Sequence, residues 1–152
     1  MSEKYMKVEK IGQGTVIDHI LPGKAFDVLR VLGLSTDRSM SILINSHSGK
    51  GGKKDILKIE DGELSPEEAN RVALISPKAT INIIVEGKVA KKFNAEAPKV
   101  VRGILTCSNP NCISNQNEPV VSEFKLAVDD GHRYVCTYCE RDIVDLAKRV
   151  SP

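Results

Sequence analysis

No stretch of the 152-residue sequence approaches the roughly 20 consecutive apolar residues that a membrane-spanning helix needs, which excludes an integral helical membrane protein. The opening "MSEKYMKVEK" lacks the apolar core of a secretory leader, so the reading predicts a cytoplasmic chain whose thiols stay reduced. A strong charge of one sign is missing as well. The net charge is +2, with 16 Lys/Arg against 13 Asp/Glu in residues 1–100 and 6 against 7 in residues 101–152. All four cysteines lie in that second, slightly acidic part, which disfavours a nucleic-acid-binding zinc module, since such modules present a basic patch. Catalytic signatures are also lacking: there is no G-x-S-x-G, no H-E-x-x-H and no full Walker sequence. "GQG" (12–14) is a lone G-x-G, and "GKGGKK" (49–54) reads as a basic hairpin loop without phosphate-loop spacing.

What is present in the first hundred residues is an alternation of strand and helix patterns. "GTVIDHI" (14–20) is a β-branched strand run. "LPGKAFDVLRVLGL" (21–34) predicts a helix starting near Pro22, with Ala25, Phe26, Leu29 and Leu32 on its apolar face. Strands follow at 39–45, where Met40, Ile42 and Ile44 alternate, and at 55–60. "LSPEE" carries a capping box, with Ser65 as N-cap, Pro66 first in the helix and Glu68 three residues on; the helix should end near Ile75, before Pro77. Segments 79–85 and 88–93 predict a hairpin across Glu86–Gly87. The order β-α-β-β-α-β plus an extra strand is the ferredoxin-like pattern, so the expected fold class is α+β. "NAEAPK" (94–99) reads as a linker, dividing the chain into residues 1–97 and a small β-rich domain, residues 98–152. Within the latter, Ile143, Val144, Leu146, Ala147 and Val150 predict an amphipathic helix over about 141–150. Some fifty residues with few large apolar side chains cannot build a secure core unaided.

The cysteines supply what that domain lacks. Cys107, Cys112, Cys136 and Cys139 have the spacing C-x4-C-x23-C-x2-C, with none left over. Two tight-turn pairs suit one tetrahedral Zn²⁺ held by four thiolates, although another thiophilic metal or an iron–sulfur cluster uses the same ligands. Disulfides are disfavoured in a reducing compartment, and a catalytic zinc is disfavoured because four protein ligands leave no position for water. His132, four residues before Cys136, suggests a Cys–His nucleophile but reads better as a solvated turn residue.

Period-two alternation sorts the side chains of the predicted sheet. Ile17, Leu57, Ile59, Ile81, Ile83 and Val85 should face the helices, leaving Val16, Asp18, Lys58, Asn82 and Ile84 together on the other face, with Lys91 and Lys92 nearby on the extra strand. An Asp, a Lys and an Asn on adjacent strands suit a small polar ligand. An exposed sheet face with scattered polar residues is the competing reading, and composition leaves both open.

"GTVIDHI", "KKDILKIE", "ISPKATIN" and "CSNPNCIS…YVCTYCE", in this order and at these spacings, resemble the regulatory chains of aspartate carbamoyltransferase. The likeness runs from about Val8 to the end of the chain's last predicted helix. It implies a non-catalytic subunit of the pyrimidine pathway that binds CTP and ATP, and possibly UTP, at one allosteric site and signals to a separate catalytic chain. By the same resemblance, Val8, Glu9, Lys10 and Ile11 would lie against the base, and Asp18 and Lys58 would serve base and ribose. His19, Asn82 and Lys92 would approach ribose and phosphates, with Ile84 and Val89 as an apolar wall beside Val16. Lys10 and Gly87 depart from the family pattern. The implied assembly joins catalytic trimers through regulatory dimers, with the zinc modules docked on catalytic chains. The runner-up reading is a zinc-ribbon nucleic-acid adaptor.

Overall fold

The computed structural model describes residues 12–33, 39–47, 52–127 and 133–151. Five strands form the first sheet: β1 (Gly14–Ile20), β2 (Met40–His47), β3 (Lys53–Glu60), β4 (Thr80–Val85) and β5 (Lys88–Asn94). Their order is β2-β3-β1-β4-β5, with every neighbouring pair antiparallel. The first strand is therefore central between the third and fourth, as the ferredoxin-like reading required. Helices α1 (Ala25–Leu32) and α2 (Pro66–Ile75) pack against each other over one face. Beneath them Ile17, Leu57, Ile59, Ile81 and Ile83 are buried, together with Val28, Val31, Val72 and Ile75. Each fully buried Ile, Leu or Val contributes about 1.5–3 kcal/mol.

The capping box of α2 is present in full. Ser65 Oγ accepts from Glu68 N (3.2 Å), and Glu68 Oε1 accepts from Ser65 N (3.0 Å). The start of α1 differs from expectation. The helix begins at Ala25 rather than near Pro22, and its buried stripe is Ala25, Val28, Val31 and Leu32. Phe26 is 61% exposed. The cause is Asp55, a wholly buried carboxylate on β3 that accepts from Gly23 N (2.9 Å), Ala25 N (3.2 Å) and Asn45 N (2.9 Å). Catching the N–H groups of residues 23 and 25 holds Leu21–Lys24 in a turn, closed by Lys24 N to Leu21 O (3.0 Å), and sets the rotation of the helix behind it. Val85 also departs from the reading: at the hairpin end of β4 it is 45% exposed. Ile44 likewise lies exposed, beyond the register shift in β2 that begins after Leu43.

A second, three-stranded antiparallel sheet consists of β6 (Val100–Arg102), β7 (Glu123–Leu126) and β8 (Tyr134–Cys136). Phe124 and Tyr134 form its centre, with Val101, Leu105 and Val150 buried beside them. The helix expected over 141–150 contracts to α3 (Leu146–Arg149). Residues 141–143 pair back onto β8 instead, through Cys136 N to Arg141 O (3.0 Å) and Ile143 N to Tyr134 O (2.9 Å). Glu140 (φ 62°) and Asp145 (φ 55°) both adopt left-handed backbone, which interrupts any helix. Val144 is consequently exposed, while Val150 is buried in a bridge with Leu105.

Gly14 has φ +144°, and a Cβ there would lie 2.0 Å from Ile59 O. Gly14→Ala should therefore cost about 3 kcal/mol or more, because the β1–β3 ladder must part, whereas Gly23→Ala (φ +84°, open space) should cost about 1 kcal/mol. Urea denaturation of the two variants checks the difference. Tyr134 donates its hydroxyl to Pro98 O (2.6 Å), and burial pushes its pKa up to about 12. The neutral phenol is the form the fold favours. Its contribution should be fully present below the unfolded value near pH 10 and be lost as pH rises through about 12. In a tyrosinate absorbance titration, the component with a midpoint near 12 should vanish in Tyr134→Phe.

Candidate metal centre and effector-binding face

The first cysteine pair sits on a loop closed by its own side chains. Cys112 N donates to Asn109 O (3.0 Å), and Asn111 N donates to Asn109 Oδ1 (3.1 Å). Asn115, in the single 3₁₀ turn Ile113–Asn115 that follows, donates from Nδ2 to Cys107 O (2.9 Å) and Asn109 O (2.8 Å). The second pair caps the end of β8, where Glu140 N bonds Cys136 O (2.9 Å). These turns bring the four sulfurs within 4.8 Å of one another, with Cys107–Cys139 and Cys112–Cys136 both at 3.6 Å. Bonds of about 2.3 Å in a tetrahedral Zn–S₄ centre imply S···S edges of about 3.8 Å, whereas a disulfide requires about 2.0 Å. The thiols are free, three are buried and Cys139 is partly so. The geometry is that of one structural zinc site; His132 lies outside the described residues.

The donors around the sulfurs reinforce this reading. Cys107 receives the Asn109 N–H, and Cys112 receives both the N–H and the hydroxyl of Ser114, with Sγ···Oγ at 3.1 Å. Cys136 receives the N–H groups of Cys139 and Tyr138, and Cys139 receives the Arg141 N–H and the Asn109 side chain. Burial pushes Cys107 up to about 12 and raises Cys136. Burial also opposes ionisation of Cys112, but the Ser114 donors overcome it and bring that thiol down to about 7; Arg141 and Asn109 likewise lower Cys139. Four thiolates this close need a cation, and seven converging donors disperse the residual negative charge of a Zn–S₄ unit.

On the sheet face away from the helices, register aligns one row of residues across all five strands. Ser41 pairs with Lys58, Lys58 with Val16, Val16 with Asn82, and Asn82 with Lys92. Asn82 Nδ2 also reaches Val16 O (3.3 Å). In the adjoining row Ile84, nearly buried, pairs with the exposed Val89. Asp18, on the same face, is bonded to Lys54, whose Nζ lies 3.0 Å from Oδ1 and whose side chain is only 16% exposed. Lys54 was not among the sequence candidates, although alternation from Lys58 puts it on the same face. His19 follows at φ 57°, its N–H on Asp18 Oδ1 (2.7 Å). Its Nδ1 is shielded, without a hydrogen-bond partner among the described residues, and 3.7 Å from Asp18 Oδ2. The structure thus groups Val16, Asp18, His19, Lys58, Asn82, Ile84, Val89 and Lys92, while Val8, Glu9, Lys10 and Ile11 lie outside the described residues.

Removing a single sulfur donor separates the hydrogen-bond shell from the ligand set. Ser114→Ala should keep one zinc per chain but release it to a chromogenic chelator about tenfold faster. Cys112→Ala should lose the bound metal, measured by elemental analysis after gel filtration.

Two family models together match nearly the whole chain. The allosteric domain of the aspartate carbamoyltransferase regulatory chain matches residues 6–96, and that chain's metal-binding domain matches residues 99–146. Among curated relatives, the aspartate carbamoyltransferase regulatory chain of Methanosarcina mazei is 49% identical over 148 residues, covering 94% of each chain. That of Methanococcus maripaludis is 47% identical over 141 residues, with 93% of this chain and 95% of the relative covered. The corresponding chain of Sulfolobus acidocaldarius is 48% identical over 141 residues, covering 91% and 86% respectively. These matches offer no support for the nucleic-acid adaptor reading. With an allosteric domain suited to nucleotides and a single structural zinc site in place, the chain belongs to the aspartate carbamoyltransferase regulatory chain family, the non-catalytic subunits of a pyrimidine-biosynthesis enzyme.

Proposed function

We propose that this subunit binds CTP and ATP competitively on the exposed face of the first sheet and alters the activity of its partner, the catalytic chain. The observation that carries the reading is the cross-strand row from Lys58 through Val16 and Asn82 to Lys92. Three inter-strand steps of about 4.8 Å make the row about 14 Å long, the scale of an extended nucleoside triphosphate. Asp18 and Lys58 serve base and ribose, while Asn82, Lys92 and His19 approach ribose and phosphates. Ile84 and Val89 form the apolar wall and Val16 the floor. Lys54 belongs to this set: it neutralises Asp18 in the free protein and becomes available to phosphate when Asp18 turns to the ligand. UTP is a further candidate effector of the same chemistry.

Residues 1–97 act as the effector unit and residues 98–152 as the docking unit for the catalytic chain. Exposed Ile113, Val121, Tyr138 and Val144 on the metal-bearing part support a protein contact rather than a nucleic-acid one. A second copy of the chain is the other partner. Lysines protect the β5 edge, whereas β2, the opposite edge, carries Leu43 and exposed Ile44 and suits strand pairing between copies. Two catalytic trimers joined by three such regulatory dimers, in the cytoplasm and without nucleic acid or membrane, form the working assembly. For CTP and ATP to act in opposite senses they must prefer different quaternary states.

Titration calorimetry on the zinc-loaded chain should show CTP and ATP competing for one site per chain. Lys58→Met should weaken both by about tenfold, or about 1.4 kcal/mol, with zinc content unchanged. No nucleotide binding by the unmodified chain would refute the site. The chain alone should show no carbamoyl transfer, and CTP should change the rate only after a catalytic chain is added.

A further inference from the structure

The two parts of the chain are joined covalently near residues 94–99, yet the polypeptide also returns to the first part at its C-terminal end. Arg30, in the last turn of α1, donates from Nη1 to Val150 O (2.9 Å) and from Nη2 to Ala147 O (2.6 Å). Arg71, on α2, donates from Nε to Ser151 O (3.1 Å). The same C-terminal segment is stitched on its other side to the strand-like stretch that leads into the metal ligands. Thr106 N bonds Arg149 O (3.0 Å), Ser151 N bonds Ile104 O (2.7 Å), and Leu105 bridges Val150. Thr106 is followed directly by the ligand Cys107.

We infer that Arg30 and Arg71 form a clamp through which the effector-binding part sets the position of the metal-bearing part. This relay rests on the effector reading above. Its input is β3, where adjacent residues face opposite ways: Lys54 holds Asp18 on the effector face, and Asp55 holds the start of α1 on the other. A ligand that draws Lys54 or Asp18 displaces the backbone that carries Asp55, and with it the helix that carries Arg30. The covalent connection is less suited to this task. Ala95 N is fixed to Ala79 O (2.8 Å) and Pro98 O to the Tyr134 hydroxyl (2.6 Å), so the connection that continues from β5 is pinned at both ends. Leu146, Ala147 and Val150 of the gripped segment pack on the apolar core, while the Arg30 half of the clamp lies outside it. Arg30 is exposed, so its two bonds can break without opening apolar surface, which lets the clamp have closed and open states.

The test is hydrogen exchange on the zinc-loaded full chain, comparing the wild type with Arg30→Met/Arg71→Met. Zinc content and CTP affinity, which should stay within twofold, serve as controls for folding. Without nucleotide, the amides of Thr106 and Ser151 should exchange at least tenfold faster in the variant; unchanged exchange overturns the clamp. Saturating CTP should alter exchange at these two amides at least threefold in the wild type and not in the variant. If the wild type binds CTP and the response survives in the variant, the relay is overturned while the effector site stands. If the wild type fails to bind CTP, the effector reading fails and the relay with it. Arg30→Lys, which keeps the charge but cannot fork across two carbonyls, should give intermediate exchange.

Discussion

The alternation of β3 is the constraint on which most of this molecule depends. Lys54 and Lys58 point to one face of the first sheet, while Asp55, Leu57 and Ile59 point to the other. One strand therefore supplies cationic side chains to the exposed face and the apolar and acidic groups that hold the helices. Asp55 is the sharpest case. A carboxylate buried without partners would be costly, and three backbone N–H donors from two other segments make it the point where β2, β3 and α1 meet. A register slip of one residue would exchange the two faces and destroy both.

The metal-bearing part solves a different problem. Its strands are short, and among the described residues the fully buried large side chains there are Phe124 and Tyr134. A tetrahedral centre adds folding free energy on the order of 10 kcal/mol, which a core of this size cannot supply. It also freezes two loops whose backbone N–H groups are already aimed at the sulfurs. The surface carrying Ile113 and Tyr138 is thereby held in one conformation next to ligands Cys112 and Cys139. Metal and surface cannot be varied independently.

Much of this was legible in the residues. The capping box at Ser65, the hairpin at Glu86–Gly87 and the strand order followed from short-range chemistry and period-two patterning. The four cysteines announced their site by spacing and by leaving none unpaired. The errors lie where a contact distant in sequence overrode a local pattern. Phe26 fits an amphipathic stripe on paper, but Asp55, about thirty residues away, rotates the helix and turns that ring to solvent. Residues 141–145 have helical periodicity, but pairing with β8 takes their backbone groups first. Lys54 was missed although the pattern pointed to it.

The sequence by itself determined the two-part organisation, the βαββαβ order, the metal ligands and which residues share the polar face, because spacing and alternation are local properties of the chain. Only the tertiary structure decided that Lys54 neutralises Asp18, that Asp55 sets the start of α1, and that two arginines grip the C-terminal carbonyls. Each of these is a hydrogen bond or ion pair between segments 30 to 120 residues apart. No periodicity encodes such pairs; they exist only once the sheets and helices have brought the groups within reach.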